Sequence, residues 1–281
     1  MESGLPTYEQ IENYLNSLDP RFRKHAEKYI SDLLVHGSLQ SYLDYVKDNY
    51  KDGSARHIYG ILHRLYSING LTWPYRKSDI PTIAERSVFA PILDPEVIIT
   101  MIEAAKKNKL TARLTFYLAI STVYGCRRIE LANLSKRDID IKNRLIYIAT
   151  KKHGRERYHL IPEEIVPYIS KFLPRLTPVK EKTMERMFRY IEDVISFPHV
   201  KDVGWHSIRR CLDRELLRAN LPEDVVTDFL RWKRSSVNMP LRYARGTVIS
   251  WETKYEDISI QDRSIDETVF KAHPFLPYWA S

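Results

Sequence analysis

Little in this 281-residue chain points to the secretory route or to a membrane. It holds only two cysteines, Cys126 and Cys211, which cannot build a disulfide scaffold. Neither has metal-ligand neighbours in sequence, so a reducing intracellular setting is expected, cytoplasmic or nucleoid, with no metal and no cofactor. The opening Met-Glu-Ser-Gly-Leu-Pro lacks the basic-then-apolar pattern of a signal peptide. No apolar run approaches the ~18 residues that a spanning helix needs. Internal repeats and low-complexity tracts are absent too. What is there is a globular composition: 43% hydrophobic and 28% charged residues are values that exclude global disorder.

The charge is lopsided. Formal net charge is +8, a bias toward a polyanionic partner. Residues 1–81 hold ten Lys/Arg against ten Asp/Glu, so the whole excess lies downstream. Any nucleic-acid face in the first part of the chain must come from uneven placement, with Arg21, Arg23, Lys24 and Lys28 as the candidates.

Residues 8–68 carry helical spacing. Ala26, Tyr29, Ile30, Leu33 and Leu34 fall at i, i+3, i+4, i+7 and i+8, and Ile58, Ile61, Leu62, Leu65 and Tyr66 repeat the pattern. A small helical bundle is expected, with Gly37 and Gly53 as stop signals. Over roughly 69–92 the periodicity fades, and Trp73-Pro74, Ile80-Pro81 and Ala90-Pro91 punctuate the chain. The expected organisation is a helical domain over 1–80, a linker over 81–93 and a second domain over 94–281, with a tail over 246–281.

The second domain opens at Asp94-Pro95-Glu96, an N-cap followed by proline at the first helical position, with Ile98, Met101, Ile102 and Ala105 as the buried stripe. A further helix is expected from about Thr111 to Tyr124, stopping at Gly125. Two β-rich segments, 144–150 and 157–161, flank Lys151-Lys-His-Gly154 and predict a hairpin with its turn near Gly154. Beyond Pro162 the pattern is helical to about Leu230. The fold class is mainly α with a small antiparallel β-sheet.

Four segments carry chemistry-bearing residues. Trp205-His206-Ser207-Ile208-Arg209 puts an imidazole and a guanidinium on one helix face, a pairing suited to phosphate. Gly125-Cys-Arg127-Arg-Ile-Glu130-Leu131 places an arginine just after a helix break, with a glutamate three residues on to brace it. The hairpin tip offers Lys151 and Lys152. Finally, Phe229-Leu-Arg-Trp232 is followed by Leu241-Arg-Tyr243-Ala-Arg245. Asp138 and Asp140, near a strand, read as structural rather than as metal ligands.

In this order, Gly-x-Arg-x-x-Glu-Leu, a hairpin lysine, His-x-x-Arg, a Trp and a late Tyr resemble the catalytic domain of the tyrosine recombinases, the phage-type integrases. The resemblance covers about 94–245, and the helical 1–80 segment is similar to the family's core-binding domain, a DNA clamp. It implies Arg127 and Arg209 as paired arginines, His206 as the histidine of the HxxR box, Trp232 at the position held by His or Trp, and Tyr243 as nucleophile. The family's strand after the hairpin tip matches Arg155–Pro162, a register that favours Lys152 over Lys151. Tyr243 lies eleven residues after Trp232, about two more than the family usually shows, so Tyr255 stands as the fallback nucleophile.

The implied function is a site-specific DNA recombinase, an integrase of a virus, plasmid or other mobile element, acting on double-stranded DNA as a homo-tetramer. The reaction needs these residue types. A phenol attacking a phosphodiester passes through a transition state with extra charge on the nonbridging oxygens, and two guanidiniums can clamp it. A lysine near the leaving 5′-oxygen can serve as general acid. His206 is suited either to assist deprotonation of Tyr243 or to hold a phosphate oxygen. The 3′-phosphotyrosyl product conserves the bond energy, so strands rejoin without ATP. The rivals are a type IB topoisomerase, which relaxes one duplex, and a DNA-binding protein that has kept the fold and lost the chemistry. The apolar tail, with Phe270, Phe275, Tyr278 and Trp279, is expected to pack on its own domain or to dock on a neighbouring protomer.

Overall fold

The computed structural model describes residues 4–76, 91–150, 155–232 and 260–280. The chain divides into two compact units, residues 1–89 and 90–281.

The first unit holds four helices: α1 (Tyr8–Asn16), α2 (Pro20–His36), α3 (Leu39–Asn49) and α4 (Asp52–Ile68). Thr7 caps α1, its hydroxyl accepting from the Gln10 N–H while the Gln10 side chain accepts from the Thr7 N–H. Gly37 ends α2 at φ 72°, a left-handed turn that glycine takes freely, and Ser38 caps α3 immediately after. Ala26, Ile30 and Leu33 are buried as the spacing predicts, and so are Ile58, Leu62, Leu65 and Tyr66. Two expectations fail. Leu34 is 47% exposed, on the flank of its helix. Gly53 is no stop signal: it lies in the first turn of α4, and the break falls at Tyr50-Lys51. Leu71, Trp73 and Tyr75 pack back on this core, the Trp73 ring 5.6 Å from Tyr66. Of the cations proposed for a DNA face, Arg23 pairs with Glu27 at 2.8 Å and Lys28 sits over the Tyr29 ring. The side chain of Arg21 lies outside the described residues.

In the second unit, α5 (Pro95–Lys106) starts where Asp94 accepts from the Glu96 N–H at 2.9 Å. Next comes α6 (Ala112–Tyr124), whose residues 114–124 are all buried, the mark of a helix surrounded by others. The short α7 (Arg128–Asn133) leads to a sheet of order β1-β2-β3: β1 (Ile139–Asp140), β2 (Leu145–Ile148) and β3 (Arg157–Leu160). β2 and β3 form the expected antiparallel pair, with Tyr147 opposite Tyr158. The turn residues 151–154 lie outside the described set. Then follow α8 (Val166–Phe172), α9 (Glu181–Val194), α10 (Trp205–Arg218), α11 (Glu223–Phe229) and, after 233–259, α12 (Ile260–Lys271).

The tail packs on its own chain. α12 lies against α11 and β3, and the last turn (Leu276–Trp279) against α5 and α6. Phe275 and Trp279 are fully buried, each a burial worth ~1.5–3 kcal/mol on the scale of large apolar side chains. The Trp279 indole N–H donates to Thr122 Oγ1, and His273 Nε2 meets the Val123 carbonyl. Tyr278 stays 42% exposed. Asp138 accepts from the Ser135 N–H and hydroxyl, and Asp140 from Asn143, so both carboxylates serve local turns. Among the described residues no helix is long and apolar enough to cross a membrane.

Candidate active site

The site is built where α6 stops. Gly125 sits at φ 56°, and a Cβ there would lie 2.8 Å from Leu230 Cδ2 and 3.2 Å from Leu212 Cδ2. Only a residue without a side chain both turns left-handed and lets α10 and the end of α11 approach so closely. The consequence is chemical. The Gly125 carbonyl accepts from Arg209 Nη1 at 2.6 Å, and the Leu230 carbonyl accepts from Nη2. Arg127 follows two residues after this anchor, at the N-cap of α7.

Arg127 is held by Glu130, as its spacing suggests. One Glu130 oxygen accepts from the Arg127 backbone N–H at 2.8 Å and the other from Nη1 at 2.6 Å. The Arg127 side chain keeps 17% of its surface exposed, whereas Glu130 is fully buried. Burial pushes the Glu130 carboxyl up, but Arg231, the Arg127 N–H and the guanidiniums of Arg209 and Arg127 outweigh it and hold it at about 2.

Arg209 is 1% exposed and is the most confined cation expected for the site. Burial first, then the neighbouring Arg231 and Arg127 guanidiniums, lower its pKa to about 9, which still leaves it cationic at neutral pH. The Trp232 ring lies over it, with 5.5 Å between the guanidinium carbon and the ring centroid. Trp232 is 37% exposed, so its indole covers Arg209 on one side and meets solvent on the other. Arg209 Nε has no partner among the described residues, a buried donor left over.

His206 lies in the first turn of α10, one residue after Trp205, whose indole donates to the Met184 carbonyl at 2.6 Å and pins the helix start. His206 is exposed while Arg209, one turn on, is buried. Desolvation of the ring, then Arg210, Arg209 and Arg127, depress its pKa to about 4, so the imidazole is neutral at physiological pH. His206 and Arg127 line one cavity of about 520 Å³, bordered also by Arg128, Arg189 and Trp205 and by the carboxylates Glu181, Glu185 and Asp202, whereas Arg209 and Trp232 do not line it.

The structure therefore brings Arg127, His206, Arg209 and Trp232 together from three separate stretches of sequence. Lys151, Lys152, Tyr243 and Tyr255 lie outside the described residues. One participant is not expected from sequence. Arg231 is fully buried at φ 59°, a conformation that costs a non-glycine residue roughly 1–2 kcal/mol. Its Nη2 donates to Glu130 Oε2 at 3.0 Å. The only hint in the sequence is an arginine at the position after a helix end, where glycine is favoured.

A mainly helical unit with a three-stranded sheet, carrying two converging arginines and a histidine at a helix start, defines the catalytic domain of a tyrosine recombinase. The family comparison agrees. The family model described as "Phage integrase family" matches residues 91–247, more than half the chain, and the chain belongs to that family. It is a site-specific recombinase that breaks and rejoins DNA strands, and nothing supports the topoisomerase or inactive-binder alternatives.

Solved structures with the same fold include the lambda integrase, residues 75–356, bound to DNA: 15% identity, 91% of this chain and 100% of that chain covered, TM-score 0.60. A lambda integrase tetramer bound to a Holliday junction shares 15% identity over 88% of this chain and 79% of that chain, TM-score 0.61. The XerH site-specific recombinase bound to its palindromic difH substrate shares 13% over 82% and 92%, TM-score 0.58. At such identities the likeness shows the fold. No curated protein sequence matches the chain.

Proposed function

We propose that Arg127 and Arg209 clamp the nonbridging oxygens of one scissile phosphate, that Tyr243 attacks it, and that Lys152 protonates the leaving 5′-oxygen. The observation that carries this is the shared anchor: the Gly125 carbonyl fixes Arg209 two residues before Arg127 leaves the same turn. The leftover Nε–H of Arg209 and the remaining protons of Arg127 are donors suited to an anion. A preorganised donor aimed at developing charge is typically worth about 3–4 kcal/mol of transition-state stabilisation. Attack forms the Tyr243 Oη–P bond and breaks the P–O5′ bond, and the phenolic proton leaves as the 5′-hydroxyl gains one.

The depressed pKa of His206 supports a base. A neutral imidazole at pH 7 can accept the Tyr243 proton or a hydrogen bond, whereas an imidazolium could only donate. Trp232 supports Arg209 through its ring face. The helical 1–80 segment closes on the duplex as a clamp, and the assembly on DNA is a homo-tetramer inside the cell. Because the phosphotyrosyl link stores the energy of the broken bond, rejoining needs no nucleotide.

The test is covalent capture. The chain is incubated with a library of nicked duplexes of randomised sequence, SDS-resistant complexes are isolated, and the attached peptide is mapped. Attachment at Tyr243, lost in Tyr243→Phe, is the expected result. Attachment at Tyr255, or capture that survives Tyr243→Phe, overturns the assignment.

A further inference from the structure

Arg231 does more than fill space beside Trp232. It follows α11 where the Trp232 N–H reaches back to the Thr227 carbonyl at 2.9 Å, a helix-ending turn whose left-handed residue glycine would adopt freely. An arginine stands there with no exposed surface. Its guanidinium meets the Tyr124 carbonyl at 3.2 Å, Glu130 Oε2 at 3.0 Å and His159 Nε2 at 3.0 Å.

These contacts fix proton positions. A guanidinium only donates, so His159 Nε2 must accept, and the proton of the neutral ring sits on Nδ1. His159 Nδ1 faces Asp266 Oδ1 at 3.0 Å, and Asp266 also accepts from Arg157 Nη2 and from the Leu160 N–H. The result is a continuous buried chain of hydrogen bonds: Asp266 on α12, His159 on β3, Arg231, Glu130, Arg127. Every member before Arg127 is at least nine-tenths buried, which makes each bond expensive to leave unmade.

We propose that Arg231 is a positioning residue for strand cleavage: it orients the Glu130 carboxylate, whose other oxygen aims the Arg127 guanidinium at the scissile phosphate. This rests on the proposed function, in which Arg127 is a phosphate clamp. Arg231 itself, its Nη donors taken by Tyr124, His159 and Glu130, is given no contact with DNA. Its loss leaves Glu130 with one guanidinium instead of two, its Oε2 held by the Arg127 backbone N–H alone, so the carboxylate is less firmly oriented and Arg127 loses part of its aim and not its charge.

The test is a double-mutant cycle read by single-turnover formation of the covalent complex, on a nicked duplex recovered from the randomised library by wild-type capture. Arg231→Gly keeps the left-handed backbone favourable and removes the guanidinium. Cleavage at saturating DNA is expected to slow about 10- to 100-fold, the range for partners that orient a contacting group, with DNA affinity unchanged. Combined with Arg127→Ala it should add nothing, the double variant cleaving within about twofold of Arg127→Ala alone. A purely structural role would instead multiply the two losses. An Arg231→Gly protein that cleaves at the wild-type rate, or losses that multiply, overturn the proposal.

If Arg231→Gly lacks the wild-type circular dichroism spectrum, Arg231→Lys is carried through the same cycle. It retains charge without the planar fork, so the same slowing and the same absence of added loss are expected, and a wild-type rate or multiplied losses overturn the proposal. A wild-type chain that captures no DNA defeats the proposed function and this inference with it. A cleaving wild type matched by its Arg231 variants defeats the inference alone.

Discussion

Replacing Gly125 by alanine perturbs the structure at the point where the two arginines are tied together. Two costs combine. At φ 56° an L side chain is strained by roughly 1–2 kcal/mol. The new Cβ would also lie 2.8 Å from Leu230 Cδ2 and 3.4 Å from Arg209 Cγ. Leu230 is fully buried and cannot move outward without disturbing its neighbours, an overpacking penalty of typically 1–3 kcal/mol. The sum, about 2–5 kcal/mol, corresponds to a Tm lower by roughly 4–20 °C for a unit of this size. The functional loss should exceed what stability predicts, because the carbonyls that orient Arg209 belong to Gly125 and Leu230, the residues forced apart. Urea denaturation gives the first quantity and single-turnover capture of DNA, at a temperature where the variant is fully folded, gives the second. A variant with wild-type midpoint and wild-type capture would refute the reasoning that the close approach at Gly125 builds the site.

Three further outcomes follow from the titratable groups in and behind the site. Glu130 titrates at about 2 in the folded chain against an ordinary value of 4.5, so its contribution is complete above pH 4.5 and is lost as pH falls from there to 2. That loss is about 3 kcal/mol in unfolding free energy, and Glu130→Gln should flatten this segment of the pH–stability curve. His206 should titrate near pH 4 by NMR in the DNA-free protein; a midpoint above 7 would remove the basis for a neutral imidazole. Because its folded pKa is depressed, stability is unaffected above about pH 6.5 and declines as pH drops from there toward 4. Asp266→Ala leaves the buried Arg157 guanidinium short of a charged partner, a change that typically costs 3–5 kcal/mol. Hydrogen exchange should accelerate in 260–271 and in β3 first, and uniform acceleration across the second unit would contradict the view that Asp266 pins α12.

Much of the catalytic unit was legible because local rules and global fold agree there. Asp94-Pro95 reads as a cap and is one, Gly125 reads as a stop and is one, and the two β-rich segments pair in the expected hairpin. The HxxR spacing places His206 and Arg209 on one helix, as periodicity requires. What the spacing did not carry is depth: His206 meets solvent while Arg209 is sealed under Trp232. Gly53 misled because a glycine in the first helical turn looks in sequence like a glycine that ends a helix. β1, only two residues long, has too little pattern to be read.

Arg231 and Asp266 were invisible for a different reason. Their partners lie more than a hundred residues away, on Glu130 and on Arg157, and no periodicity links groups joined only by tertiary packing. A charged residue at a position suited to glycine is the one signal that pointed inward. The tail left two readings open, and in this chain α12 and the final turn pack on their own unit, through Asp266 and Trp279.

The central claim is that Arg127 answers the charge of the scissile phosphate. The direct measurement compares Arg127→Ala with wild type on two versions of the captured nicked duplex, one with a natural phosphate and one with a neutral methylphosphonate at the cleaved position. On the phosphate, removing this donor should slow covalent capture by about 100- to 1000-fold, and on the methylphosphonate most of that loss should vanish. An equal loss on both substrates would contradict the account.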